Sequence, residues 1–420
     1  MDIDGNKRPG ADGKVCMGAY ESPDGYEPQP PRPVLGPFYV SKSGNDANDG
    51  LSWGTALKTI SAALNKIPDS DDLYQIWVAE GTYAEGQTLI NPSRVALYGG
   101  FAGTESQLSE RDISAHPTII DGEDARQCVK NSGVLDGFHI TRGESERGGG
   151  IYNTGTVTNC TVYNNSATDG GGIYNYGTVT DCIVYNNNAG DNGCGIYNTG
   201  TVTNCTVFNN NSTSYTFRNG GGIYNKGAVT TCTVYNNSAT GDYSWGGGIY
   251  NYKGTVTNCT VYGNSAKHYG GGIHNTGTVT NCTVYGNSAT GIFGSGGGIC
   301  NYISGTVTNC TVYGNSAKFD GGGIFNKGTV TNCIAWGNDT DIKLFSGEVK
   351  YSCFSGGTTG EGNIAVDPMF VNVSGDDPTK WDLQLQPSSP CIDAGTSEGA
   401  PKYDILAVRR PQGEKVDMGA

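Results

Sequence analysis

The chain has 420 residues, of which 67 are Gly and only 16% are charged, and its formal net charge is −14. That charge excludes the phosphate-neutralising surface nucleic acid requires and argues against an anionic membrane surface. The composition is neither collagen-like nor that of a highly charged disordered chain, and no apolar run is long enough to span a bilayer.

The opening residues, MDIDGNKRPG, lack the apolar core of a signal peptide. Residues 1–21 instead parallel the end of the chain. Asp2–Glu21 and Asp404–Ala420 both run Asp-Ile, then Arg-Pro, then Val-x-Met-Gly-Ala. This parallel is read as the tail of one module preceding another, in a longer tandem protein. Residues 22–37, SPDGYEPQPPRPVLGP, are a Pro-rich, semi-rigid linker.

Residues 38–126 read as an N-terminal cap and first coils. The stretch from Phe38 to Ile67 predicts a strand, a turn and an amphipathic helix over about Ala56 to Asn65, placed to cover an open sheet edge. The turn carries Asp46, Asn48 and Asp49. These oxygens are the candidate Ca²⁺ ligands of the chain, although the spacing is not that of an EF-hand and such residues also simply make turns. No other cofactor is expected.

Residues 127–355 hold eight copies of one sentence, first written GGGIYNTGTVTNCTVYNNSAT from Gly148 to Thr168. Ile151, Ile173, Ile196, Ile223, Ile249, Ile273, Ile299 and Ile324 fall in register at steps of 22 to 27 residues. Each copy offers three short alternating runs, GIYN, TVTN and CTVYN, and none has helical periodicity. Three such strands close into one coil of a parallel β-helix, and coils stack at about 4.8 Å. Ile, two Val columns and the Cys column (Cys160 to Cys333) are expected to point inward. The Cys column is expected to hold free thiols, because in-register Cβ atoms on parallel strands stay too far apart to bridge. Two Asn columns, Asn153 to Asn326 and Asn165 to Asn338, are expected to form corner ladders. The column from Tyr163 to Trp336 is expected outside, either stacking on itself or offering flat faces to sugars.

The copies differ mainly in one turn, before the glycine run, which lies on one edge of the rod. Three of these loops are long, and together they carry Tyr215, Phe217, Arg218, Tyr243, Trp245, His268, Tyr269, Phe293 and Phe319. Loops on a rigid scaffold are where binding concentrates, so these are the candidate ligand-binding residues, unless they cover each other or a sheet edge. A glycosidase needs two carboxylates roughly 5–9.5 Å apart. Asp169 and Asp191, in successive copies of this turn, are the candidate pair if the chain is an enzyme. The strands themselves show no catalytic constellation. Residues 356–420 read as an irregular C-terminal cap.

The stretches QIWVAEGTY, RVALYGGFAGTE, RDISAHPTIIDG and VLDGFHITRG give Phe38 to Gly143 a resemblance to right-handed parallel β-helix proteins of the pectin-lyase-like superfamily, a pattern common among secreted proteins of gut Bacteroidetes. The GGGIYN…CTVYNN copies resemble repeats of chlamydial polymorphic outer-membrane proteins, which are surface adhesins. The segment DPMFVNVSGDDPTKWDLQLQPSSPCIDAG, with the final DILAVRRPQGEKVDMGA, resembles the closing segment of variable-anchor surface proteins. These resemblances imply an all-β fold: a single-stranded right-handed parallel β-helix with an N-terminal helical cap and an irregular C-terminal cap. They imply an extracellular or outer-surface location and an adhesin-like role, with a polysaccharide or a host or bacterial surface protein as partner. The same superfamily contains lyases and hydrolases, none of whose active-site motifs is present, and a ligand-free spacer is the third reading.

Overall fold

The computed structural model describes residues 34–212, 218–357, 359–375 and 377–420. Each repeat contributes one strand to each of three long parallel sheets. The IYN face has eleven strands, from Leu89–Asn91 to Ile342–Leu344. The TVT face has thirteen, from Val34–Val40 to Glu348–Lys350. The TVY face has eleven, from Gly81–Tyr83 to Ile334–Trp336. Like residues pair with like: Ile151 with Ile173, Val157 with Val179, Val162 with Val184. The chain is therefore an all-β parallel β-helix.

The inward columns are as the alternation demands. Ile151 to Ile324 and both Val columns are fully buried, and the cysteines from Cys160 to Cys333 are at most 1% exposed. Each inward Val or Ile contributes about 1.5–3 kcal/mol over leaving it in water. The cysteines are free thiols. Each donates to the carbonyl two residues back, as Cys259 does to Thr257 at 3.2 Å, and those after the first coil accept from the backbone N–H of the coil before, as Cys282 does from Cys259 at 3.4 Å.

Both Asn columns are ladders. Asn153 Nδ2 donates to Asn175 Oδ1 at 2.8 Å and to two backbone carbonyls. Asn165 Nδ2 donates to Asn187 Oδ1 at 3.0 Å. The left-handed backbone, however, belongs to the residues beside the second ladder and not to the ladder itself. Asn164, Asn186, Asn209 and Asn236 have φ between 52° and 55°, and in later copies Gly263, Gly286, Gly314 and Gly337 take the position. That explains why NN alternates with GN in the sequence: only Asn or Gly sits there without strain.

At the N-terminal end a helix spans Ile60–Lys66, shorter than expected. Thr59 sets its start by accepting from Ala62 N–H, and the Glu85 carboxylate accepts from Ile60 and Ser61 N–H, both at 2.9 Å. Upstream of it, Leu57 makes an isolated parallel bridge to Val40. Ile60 and Ala63 join the core at the first strands. At the other end the chain folds back over the TVY face. Phe370–Asn372 pairs antiparallel with Asp382–Leu385. Trp381 meets Tyr313 edge-on at 5.0 Å, and the tail binds turn asparagines, with Asn309 Nδ2 donating to Asp417 O and Gly419 O.

Candidate functional site

The variable turns form a fourth, interrupted run of strands along the rod. Its register collects the residue before each first glycine into one column: Arg147, Asp169, Asn192, Asn219, Trp245, Tyr269, Ser295 and Asp320. The glycines that follow, Gly148 to Gly321, all have φ of 63–73°. This shared left-handed exit holds the preceding residue at the same place in every coil. Scaffold and variability thus meet at one line of side chains.

The two candidate catalytic aspartates are not partners in that line. A bulge in the Asn188–Asn192 strand sets Asn192 opposite Asp169 and leaves Asp191 exposed on the bulge. Asp169 Oδ1 accepts from Asn192 Nδ2 at 2.9 Å, and Asn192 Oδ1 accepts from Asn219 Nδ2 at 3.2 Å. Asp320, in the same column, pairs with Lys343 at 3.2 Å.

Beside the column runs a second line that the sequence reading passed over. Tyr152, Tyr174, Tyr197, Tyr224, Tyr250 and His274 are the middle residues of successive IYN strands, with ring centroids 5.6, 4.4, 4.8, 5.1 and 5.0 Å apart. They point outward, yet Tyr174, Tyr197, Tyr224 and Tyr250 are only 5–8% exposed because each is covered by its neighbours. Burial raises the Tyr250 hydroxyl to about 12 and pushes Tyr174 and Tyr224 up as well. Lys226 lies over Tyr197, Tyr224 and Tyr252 and donates to the Tyr197 hydroxyl at 2.8 Å. The signal was present in the sequence as a Tyr between an inward Ile and a ladder Asn. The expected outward column, Tyr163 to Tyr285, stacks too, at 4.9–5.2 Å along its length.

The two lines converge at Trp245. Its ring stacks on His274 at 5.3 Å and lies 6.1 Å from Tyr250 and 6.3 Å from Tyr269. Outside it, Tyr243 stacks on His268 at 5.3 Å and stays 53% exposed. Around this aromatic cluster sit four buried polar atoms without a hydrogen-bond partner: Asn219 Oδ1, Trp245 Nε1, His268 Nδ1 and His274 Nδ1. Only three other such atoms occur among the described residues, one in the N-terminal helix and two in the first coils. Burial lowers His274 to about 3, with Lys327 adding to the effect, and burial also lowers His268. Both rings are therefore neutral near pH 7, each able to donate from one nitrogen and accept at the other.

At the start of the tyrosine line, Gln127, Lys130, Ser145, Glu146, Arg147 and Tyr152 line a groove of about 590 Å³. Arg147 lies over the Tyr174 ring at 5.6 Å. The remaining candidates fall elsewhere. Phe293 and Phe319 are 57% and 65% exposed and touch edge-on at 6.4 Å, further along the loop edge. Arg218 lies in a strand whose backbone pairs with Ser244. Tyr215 and Phe217 lie outside the described residues. The Asp46 carboxylate accepts from Lys58 and Thr59 N–H and from the Thr59 hydroxyl, Asn48 Nδ2 donates to Ala56 O, and Asp49 accepts from Leu51 N–H. Each of the three thus has a turn-bracing contact. No group of three metal-ligating side chains occurs among the described residues.

No family model and no curated protein sequence matches the chain. Solved structures do. Pectate lyase Pel9A is 18% identical with a TM-score of 0.51, over 93% of this chain and 96% of that one. XylC in complex with xylose is 10% identical with a TM-score of 0.50, over 91% and 98%. At these identities the likeness is one of fold: the chain is a right-handed parallel β-helix built like that of pectate lyase.

Proposed function

We propose that this chain is a carbohydrate-binding β-helix displayed outside the cell, adhesin-like in role, which holds a polysaccharide along the line of aromatic side chains that ends at Trp245. The observation that carries this reading is the line of stacked aromatic rings that runs along the rod to Trp245, with Tyr243 exposed beside it. A sugar offers an apolar ring face to an aromatic and hydroxyls that both donate and accept, which suits the partly exposed Trp245, Tyr243 and His268 at the end of that line. The two similar solved structures support it through their own descriptions, one a lyase of pectate and the other complexed with xylose. Binding without cleavage fits the state of Asp169, whose carboxylate is engaged by Asn192 instead of facing a second acid.

The test is retention on immobilised pectins, xylans and host glycans, with reducing ends and unsaturated products measured in the same wells. Retention without product is expected. Removing an aromatic anchor of this size costs about 1–3 kcal/mol, so Trp245→Ala should weaken retention by roughly tenfold to a hundredfold. Phe293→Ala should leave it unchanged. Equal retention by wild type and a correctly folded Trp245→Ala protein would overturn the site. Release of product would overturn the non-catalytic reading.

A further inference from the structure

The corner that follows the buried tyrosine line carries a column of its own. In each coil the residue after the ladder asparagine gives its backbone N–H to the ladder asparagine's carbonyl one coil back. Lys226 bonds Asn198 O, Tyr252 bonds Asn225 O, Thr276 bonds Asn251 O, Tyr302 bonds Asn275 O and Lys327 bonds Asn301 O, at 2.7–2.9 Å. One bond per rung sets these residues above one another, so Lys226 and Lys327 stand four rises apart, about 19 Å. Tyr252 and Tyr302 are exposed, unlike the tyrosines of the line beside them. Three lysines lie on this corner with their ammonium groups over aromatic rings. Lys226 and Lys253 share the Tyr252 ring, at 5.7 and 5.5 Å from its centroid. Lys327 lies 4.6 Å from the Tyr302 centroid and 4.8 Å from that of Phe345. Among the described residues none of the three pairs with a carboxylate, whereas Lys267, Lys343 and Lys350 elsewhere on the rod each do.

We infer that the glycan held on this face is sulfated, with sulfate esters seated at Lys226, Lys253 and Lys327 and sugar rings against Tyr252 and Tyr302. The inference rests on the reading that the aromatic line holds a polysaccharide, and it adds the chemical class. Two ammonium groups held at one ring repel each other, and an anion placed between them offsets that cost. An ammonium has three donors, and Lys226 spends one on the Tyr197 hydroxyl, which leaves two for a ligand. The chain as a whole carries −14, so this corner reverses the local sign. Charges more than about 8 Å away are largely screened at physiological ionic strength, so a ligand lying on the corner meets the lysines and not the net charge. All three cations are lysine. The planar fork of arginine matches a planar carboxylate, while the compact lysine ammonium meets a tetrahedral ester from any side. Cations spread over about 19 Å, with exposed rings between them, suit a polymer and not a single sugar.

The test is retention of the full chain on chondroitin sulfate, on the same polymer chemically desulfated, on polygalacturonate and on xylan, each eluted with a rising salt gradient. The sulfated polymer is expected to bind at least about tenfold more tightly than its desulfated form, which keeps its carboxylates, and to release as salt rises. Exposed charge contacts are small one by one, so Lys226→Gln, Lys253→Gln and Lys327→Gln should each weaken that binding by about two- to fivefold. Together they should abolish the preference for sulfate and leave xylan retention in place. A charge-matched set, Lys58→Gln, Lys318→Gln and Lys415→Gln, at exposed positions off this corner, should keep the preference. Equal binding of the sulfated and desulfated polymers would overturn the inference. So would polygalacturonate binding as tightly as the sulfated polymer, or an equal loss in the charge-matched set. Retention of xylan alongside any of those results would leave the glycan-binding reading standing, while retention of none of the four polymers would sink both. The wild-type comparison decides the matter even if a variant does not fold.

Discussion

His274 shows how much one side chain carries here. It stands where the copies before it put tyrosine, it stacks between Tyr250 and Trp245, and its Nδ1 has no partner. Its folded value of about 3 lies below the 6.5 of the unfolded chain, so the unfolded state binds the extra proton between those values. Stability is fully present above pH 6.5 and falls as pH drops towards 3, by about 1.4 kcal/mol for each unit. Denaturant melts across that range should show the slope, and His274→Phe should flatten it. The ladder asparagines are equally exacting. Asn251 donates to Asn275 Oδ1, Gly254 O and Thr278 O and accepts from Asn225, all inside the core wall. Asn251→Ala leaves several of these buried groups unpaired and should cost at least about 3 kcal/mol, measurable by urea unfolding. That these asparagines form ladders was legible in the sequence, because a polar residue repeated in register beside buried columns must satisfy its amide from the next copy. That His274 would be buried and neutral was not, because its cover comes from Trp245, Tyr250 and Tyr302, on other turns.

At the level of the element, the corners are tighter than the strands. A Cβ on Gly200 would meet the Gly177 carbonyl oxygen at 2.0 Å. Gly200→Ala should therefore displace the coil beneath it and lower the melting temperature by several degrees, more than a cavity-forming Cys205→Ala, which removes only one small buried group. The strand boundaries were readable because alternation is strict over GIYN, TVTN and CTVYN. The variable turn was not readable to the residue. Copies of unequal length put both Asp169 and Asp191 ahead of a glycine run, so the two read as equivalents. The chain instead aligns them backwards from the left-handed glycine, and the bulge absorbs the difference at Asp191. The helix likewise began four residues later than its amphipathic pattern suggested, because Leu57 bridges to Val40 and Thr59 offers the capping oxygen.

For the molecule as a whole, stability is a sum of coils and the interfaces between them. Deleting residues 160–181, one complete coil, joins Asn159 to Cys182 and restores every inward column. The shortened chain should fold with unchanged β content, should lose about 4.8 Å of length in small-angle scattering, and should still retain glycan through Trp245. The fold was open to reading because eight copies repeat the same inward residues. The site was only half open. The loop aromatics drew attention to Trp245, Tyr243 and His268, but the tyrosine line they complete looked like ordinary scaffold, since its residues repeat as faithfully as the core.

The matching upper and lower surfaces of each coil have a further consequence, for heredity. Every coil offers its neighbour the same Ile, Val, Cys and Asn, so an inserted copy meets no unfamiliar interface and a lost copy leaves no exposed one. Recombination between near-identical stretches of the gene would change the number of coils in whole units, and the fold would accept each result. Novelty is then written where it disturbs nothing: in the single residue before each left-handed glycine and the loop that leads to it.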